Sequence, residues 1–93
     1  MIIELKPVDG RKSFYGKCCV EWDGEWRQLY SYGVHVASYN IVTNVFCRHW
    51  YGYSATTMRH VNAFMRYLGY ALGGKKWWNS LTPGVPVKLV EVC

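Results

Sequence analysis

The sequence predicts an α+β domain: an antiparallel β-meander of about five strands with one long α-helix packed on one face. Three observations carry this expectation. Between residues 2 and 50, short apolar or β-branched runs are separated by turn signals such as Asp23-Gly24. From Ser54 onward the apolar period lengthens from two residues to three and four. Near the far end, Val87 to Val92 ("VKLVEV") alternates again.

Taken in order, Ile2 to Lys6 reads as a short strand stopped by Pro7, followed by the turn Asp9-Gly10. Ser13 to Trp22 and Glu25 to Tyr32 read as the next two strands, joined at Asp23-Gly24. Trp22 and Trp26 flank that turn and would meet across it in one register, which also sets Glu21 opposite Arg27. Gly24 permits other registers. Gly33 breaks the run, Val34 to Tyr39 alternates as a half-buried strand, and Asn40 is a turn residue. Ile41 to Trp50 is rich in β-branched and aromatic residues and reads as a further strand.

Ser54 is placed to cap a helix, with Tyr53 and Met58 at the spacing of a hydrophobic staple. Met58, Val61, Phe64, Met65, Leu68 and Leu72 fall on one stripe that faces the sheet. Gly73-Gly74 end the helix at the latest, and Gly69 offers an earlier stop. The segment "GGKKWWNS" (residues 73–80) reads as a loop, and Val87 to Val92 as a last strand joining the sheet.

With 93 residues the chain makes one domain, residues 1–93, and 51% hydrophobic content excludes disorder. No apolar run approaches the roughly 18 residues that a membrane helix needs, and the start "MIIELKPVDG" lacks the pattern of a secretory signal. The expectation is a soluble protein that stays in the cytoplasm where it is made. Cys18, Cys19, Cys47 and Cys93 include no CxxC pair, so they read as free thiols rather than a zinc scaffold. The net charge of +5 favours nucleic acid or an acidic protein partner.

Catalysis finds little support. The six acidic residues suggest no carboxylate pair, and Glu21, Asp23 and Glu25 crowd one hairpin tip. His35, His49 and His60 lie on three elements. Cys47 and His49 share one face of a strand, which permits metal binding or nucleophile activation. A packed cysteine beside a surface histidine explains the pair more simply. His60, one turn after Thr56 and Thr57, reads as a hydrogen-bond partner of one of those hydroxyls. No enzyme, cofactor or metal is expected.

The basic and aromatic residues are more suggestive. Arg48 and Trp50 end the last meander strand, Lys75, Lys76, Trp77 and Trp78 follow the helix, and Arg11-Lys12 precede the second strand. Trp, Tyr and Arg are the types enriched at protein–protein hot spots. The same types stack on unpaired bases and neutralise phosphates. Arg48, Trp50, Lys75, Lys76, Trp77 and Trp78 are therefore the predicted partner-binding set. The competing interpretation makes Trp77 and Trp78 a cover for the small core, with one ring inside and one outside. Unpaired sheet edges leave room for a dimer.

Two stretches carry a resemblance. Ser31-Tyr32-Gly33 stands between two strands, and Tyr53-Ser54-x-Thr56-Thr57-x-x-His60-x-x-x-Phe64 opens the helix. Over Leu29 to Leu68 the chain resembles a small domain family carried by bacteriophages, plasmids and other mobile elements. That resemblance implies no chemistry. It does imply a context in which small proteins bind and disable a host machine, as anti-CRISPR and other anti-defence inhibitors do. The expected function is stoichiometric binding to a host defence protein or ribonucleoprotein, such as a CRISPR-Cas effector. The alternative is a nucleic-acid-binding module. The basic charge argues against mimicry of DNA.

Overall fold

The computed structural model describes residues 1–7, 14, 16–71 and 73–89. The fold is α+β, with a six-stranded antiparallel sheet and two helices. The strands β1 (Ile2–Glu4), β2 (Cys18–Asp23), β3 (Trp26–Ser31), β4 (Val34–Asn40), β5 (Val45–Arg48) and β6 (Val87–Lys88) lie side by side in chain order. Helices α1 (Ala55–Leu68) and α2 (Lys75–Ser80) intervene between β5 and β6. The strand number is thus six rather than about five. In place of one long helix there are two, because Gly69 ends the first. Of the predicted elements, the turn Asp9-Gly10, the basic pair Arg11-Lys12, the strand positions Ser13 and Tyr15, Leu72 and the end of the last strand (90–92) lie outside the described residues.

Local chemistry accounts for each boundary. Lys17 donates its amide to the Phe14 carbonyl and Gly16 takes a φ of +72°, so β2 starts only at Cys18. The β2–β3 loop is Gly24-Glu25, which sets Trp22 opposite Arg27 and Asp23 opposite Trp26. Trp22 and Trp26 therefore do not meet, and Glu21 faces Gln28 instead of Arg27. The Arg27 guanidinium covers the Trp22 ring at 4.2 Å. At the β3–β4 hairpin both loop residues have positive φ, Tyr32 at 53° and Gly33 at 77°. That is the type I′ geometry matched to strand twist.

The run Ile41–Asn44 is a turn, not strand, despite its β-branched content. Asn40 Oδ1 accepts the amides of Val42 and Thr43 at 2.9 and 3.0 Å, and Asn44 closes the turn with φ of 60°. This leaves β5 only 4 residues. On β4 the register shifts: Leu29 pairs with Ala37 while Tyr30 pairs with His35, so Val36 is a bulged residue. The bulge breaks the alternation and brings His35 and Ser38 onto the same face.

The cap residues of α1 are those the sequence suggests. Ser54 accepts the Thr57 amide at 3.0 Å. Gly69, at φ of 93°, ends the helix with its amide on Arg66 O, while the Tyr70 amide reaches Met65 O. This is the glycine-terminated helix stop that satisfies the last carbonyls. The buried positions of α1 include Met58, Val61, Phe64 and Met65. They pack with Cys18, Val20, Leu29, Val36 and Phe46 of the sheet into one core. Among the described residues no helix packs on the other face of the sheet.

Candidate functional site

The segment read as a loop is a short helix hung between core and solvent. Gly73 and Gly74 have φ of 144° and 90°, and a Cβ on Gly73 would stand 2.3 Å from Asn62 Oδ1. That oxygen accepts the Gly74 amide at 3.0 Å, so α2 is tethered to the middle of α1. From this start the Trp78 side chain enters the core, where its Nε1 donates to Gly52 O at 3.1 Å. Trp77 is half-buried, its ring centroid 5.3 Å from that of Phe46.

Arg48 is the centre of this arrangement. It is 5% exposed. Its Nε donates to Trp50 O, one Nη to Trp78 O and Leu81 O, and the other to Tyr51 O and Gly52 O, at 2.7–3.2 Å. Its guanidinium lies 4.4 Å from the Trp78 ring centroid. A guanidinium has five N–H donors, and each of these carbonyls takes one. The partners are dipoles, not a carboxylate. Trp78 O and Leu81 O lie at the C-terminal end of α2, which carries negative partial charge. Burial lowers the Arg48 pKa from its ordinary value. The side chain staples the 50–52 connection to the end of α2.

Placing the six predicted binding residues is now direct. Arg48 and Trp78 are interior, which corrects their assignment to a contact surface: a cation with every donor engaged and an indole in the core offer a partner nothing. Trp50 and Trp77 are half-buried against the core. A Cβ on Gly52 would stand 2.6 Å from the Trp50 ring, so that indole lies directly on the backbone there. Lys75 and Lys76 are exposed. Lys75 Nζ stands 5.0 Å from the ring centroid of Tyr53. Tyr53 is 41% exposed and Tyr51 is 81% exposed. The surface at this end is therefore Tyr51, Tyr53, Lys75 and Lys76. The two tyrosines are not among the predicted residues. Tyr53 reads in sequence as a helix staple, and Tyr51 has no periodic neighbour.

The two motif halves meet in space. His60 is buried, and its Nδ1 lies 2.7 Å from Ser31 Oγ, itself 3.4 Å from Thr57 Oγ1. The expected hydrogen bond from His60 to a threonine of its own helix is replaced by one to Ser31, with Thr57 on its far side. Tyr32 stacks on the imidazole at a centroid distance of 5.5 Å. Burial, with Arg59 next in sequence, lowers the His60 pKa to about 4. The Ser-Tyr-Gly turn and the helix start thus form one clasp between β3 and α1.

The chain belongs to DUF8033, a family of unknown function. The match covers residues 3–80. It runs from β1 to α2 and so includes the His60 clasp, the Arg48 staple and the exposed tyrosine–lysine end. No curated protein and no solved structure matches the chain. Family membership therefore names the fold unit without naming an activity.

On the open face a second cluster gathers residues that the sequence left apart. Ser38 Oγ lies 2.7 Å from His49 Nε2 and 3.1 Å from His35 Nε2. Gln28 Oε1 hydrogen-bonds both His35 Nε2, at 2.7 Å, and Ser38 Oγ. The rings of Tyr30 on β3, His35 on β4 and His49 just after β5 stack in a row, at centroid distances of 5.1 and 4.4 Å. A cavity of ≈ 440 Å³ opens in front, lined also by Trp26 and Cys47. Cys47 shares this cavity with His49, but the hydrogen-bond partner of His49 is Ser38. Burial lowers the pKa of both histidines, and for His35 the neighbouring His49 adds to the effect.

Proposed function

We propose that this DUF8033 chain acts by stoichiometric binding to a host defence protein, such as a CRISPR-Cas effector, in the bacterial cytoplasm. In this reading it is a mobile-element protein without catalytic chemistry. The observation that carries the reading is the Tyr51, Tyr53, Lys75, Lys76 end. Exposed tyrosines beside cations have hot-spot composition, and here they stand on a base made rigid by Arg48 and Trp78. Two lysines opening α2 face the positive end of its dipole, an arrangement that helix stability does not call for. Asp23 and Glu25 lie at the β2–β3 hairpin, at the end of the sheet where β5 begins rather than where it ends. The surface thus suits an acidic partner. Among the described residues no helix is long and apolar enough to cross a membrane.

The test is co-expression with CRISPR-Cas effectors in a plasmid-interference assay. The wild type blocks interference by its target effector, and Tyr53→Ala/Lys75→Ala/Lys76→Ala restores it. A wild type that blocks no effector, or a triple variant that blocks as well as the wild type, contradicts the reading.

The same lysine-over-tyrosine pair favours nucleic acid as a second reading, because a ring and an ammonium side by side fit a base and its phosphate. Titration with single-stranded DNA and RNA at two salt concentrations separates the two. Under this reading Lys75→Ala/Lys76→Ala reduces the logarithmic salt slope by about 2, roughly one for each phosphate no longer neutralised. Salt-insensitive fluorescence leaves the protein partner. A second copy would add along the short edges β1 or β6, which sedimentation velocity would reveal as a dimer.

A further inference from the structure

We propose that His35 and His49 form a transition-metal site on the open face of the sheet, taking Zn²⁺, Ni²⁺ or Cu²⁺ through their two Nε2 atoms. The fold itself assembles this pair. The bulge at Val36 turns His35 to the face that Ser38 occupies, and β4–β5 pairing sets Ser38 opposite Cys47, two residues before His49. The His49 and Trp50 amides both donate to Val36 O, at 2.8 and 3.1 Å, so the bulge also holds the backbone of the second histidine.

The two Nε2 atoms converge. Each lies within hydrogen-bond reach of one atom, Ser38 Oγ, at 3.1 and 2.7 Å. The rings stack at 4.4 Å with 28° between their planes. A metal bound by imidazole stands about 2.0–2.1 Å from each nitrogen, so one ion binds when both rings turn away from the hydroxyl and open their stack. The cavity in front gives it room and a path from solvent. Imidazole pairs select zinc, copper and nickel over magnesium and calcium.

Proton balance is simple. Burial keeps both rings in the neutral, ligand-competent form at neutral pH. Gln28 Oε1 only accepts, so its bond to His35 places the ring proton on Nε2. Ser38 gives its one proton to Gln28 Oε1, so the His49 Nε2 that reaches Ser38 Oγ is protonated as well. Metal binding moves both protons to the Nδ1 atoms, with no net proton released. Among the described residues no three His, Cys, Asp or Glu side chains form a ligand group. Water completes the shell, and Gln28 and Ser38 remain as hydrogen-bond partners around it.

The experiment is isothermal titration of tag-free protein with Zn²⁺ and with Ni²⁺. Saturable 1:1 binding is expected. His35→Gln and His49→Gln, each checked for an intact unfolding transition without metal, weaken it at least tenfold. Cys47→Ser and Cys19→Ser leave it unchanged. In the wild type, imidazole ¹⁵N spectra show the metal shifting Nε2 of His35 and His49 and sparing His60. Absence of saturable binding overturns the proposal. So does binding that survives both histidine substitutions, or that is lost only with Cys47→Ser.

Discussion

On the covered face of the sheet, polar side chains that enter the interior are held by fixed partners. Arg48 spends its donors on five carbonyls, and His60 is held by Ser31 with Thr57 behind it. Among the described residues, only His60 Nε2 is a buried side-chain polar atom without a hydrogen-bond partner. On the open face, Gln28, His35, Ser38 and His49 crowd one hydroxyl and share too few protons for every contact. The difference is one of solvent. Where water is excluded, an unmatched donor costs about 1–3 kcal/mol, so the partners are fixed by the fold. Where a cavity admits water, partners can be exchanged for a ligand. The first kind of cluster specifies structure, and the second stays available.

That contrast ranks the expected effects. Arg48→Ala should be the most damaging change, since it strands the buried Trp78 carbonyl and four part-buried ones and removes the cover of Trp78. Leaving a desolvated carbonyl without its donor costs about 1–3 kcal/mol, a large share of the roughly 5–15 kcal/mol available to a small domain once more than one is stranded. Denaturant unfolding would show it, and Arg48→Lys should not rescue, because an ammonium has three donors where the site uses five.

The His60 clasp predicts a pH dependence. Its pKa is about 4 in the folded chain against an ordinary 6.5. Between those values the unfolded chain takes up a proton and the folded one does not. Stability is therefore full above pH 6.5, falls as pH drops toward 4, and levels below it. The total is about 3 kcal/mol by linkage. Unfolding of the wild type and His60→Gln across this range isolates the contribution: their difference should shrink as pH falls. His35→Gln should change the slope less, since its ring is nearer solvent. Smaller again is Ser54→Ala, which removes the α1 cap and costs about 1 kcal/mol.

Much of the fold was legible, and the reasons are local. Ser54 and Gly69 act on backbone groups within a few residues, so the α1 boundaries can be read directly. The strands β2 and β3 and the turn between them were also readable, though β2 starts at Cys18 rather than Ser13. Three features were not. The turn at Ile41–Asn44 depends on the Asn40 side chain outcompeting β-branched propensity. Helix α2, at six residues, is too short to show a period. The fate of Arg48 depends on carbonyls up to 33 residues away, which no spacing reveals. The candidate surface was half legible for the same reason: the lysines stay outside wherever the segment goes, whereas the positions of Trp78, Tyr51 and Tyr53 follow from the staple.

The central claim is that "GGKKWWNS" divides its work, with Trp78 inside the core and Lys75 and Lys76 outside it. Thermal unfolding of Trp78→Ala beside Lys75→Ala/Lys76→Ala tests this most directly. Truncating a buried tryptophan costs about 3–5 kcal/mol, and each kcal/mol lowers Tm by roughly 4–8 °C in a domain of this size. Trp78→Ala should therefore lower Tm by more than about 10 °C. The lysine pair should keep a Tm within roughly 4 °C of wild type, since surface changes stay within about 0.5 kcal/mol. Equal shifts in the two variants, or an unchanged Tm in Trp78→Ala, would contradict the claim.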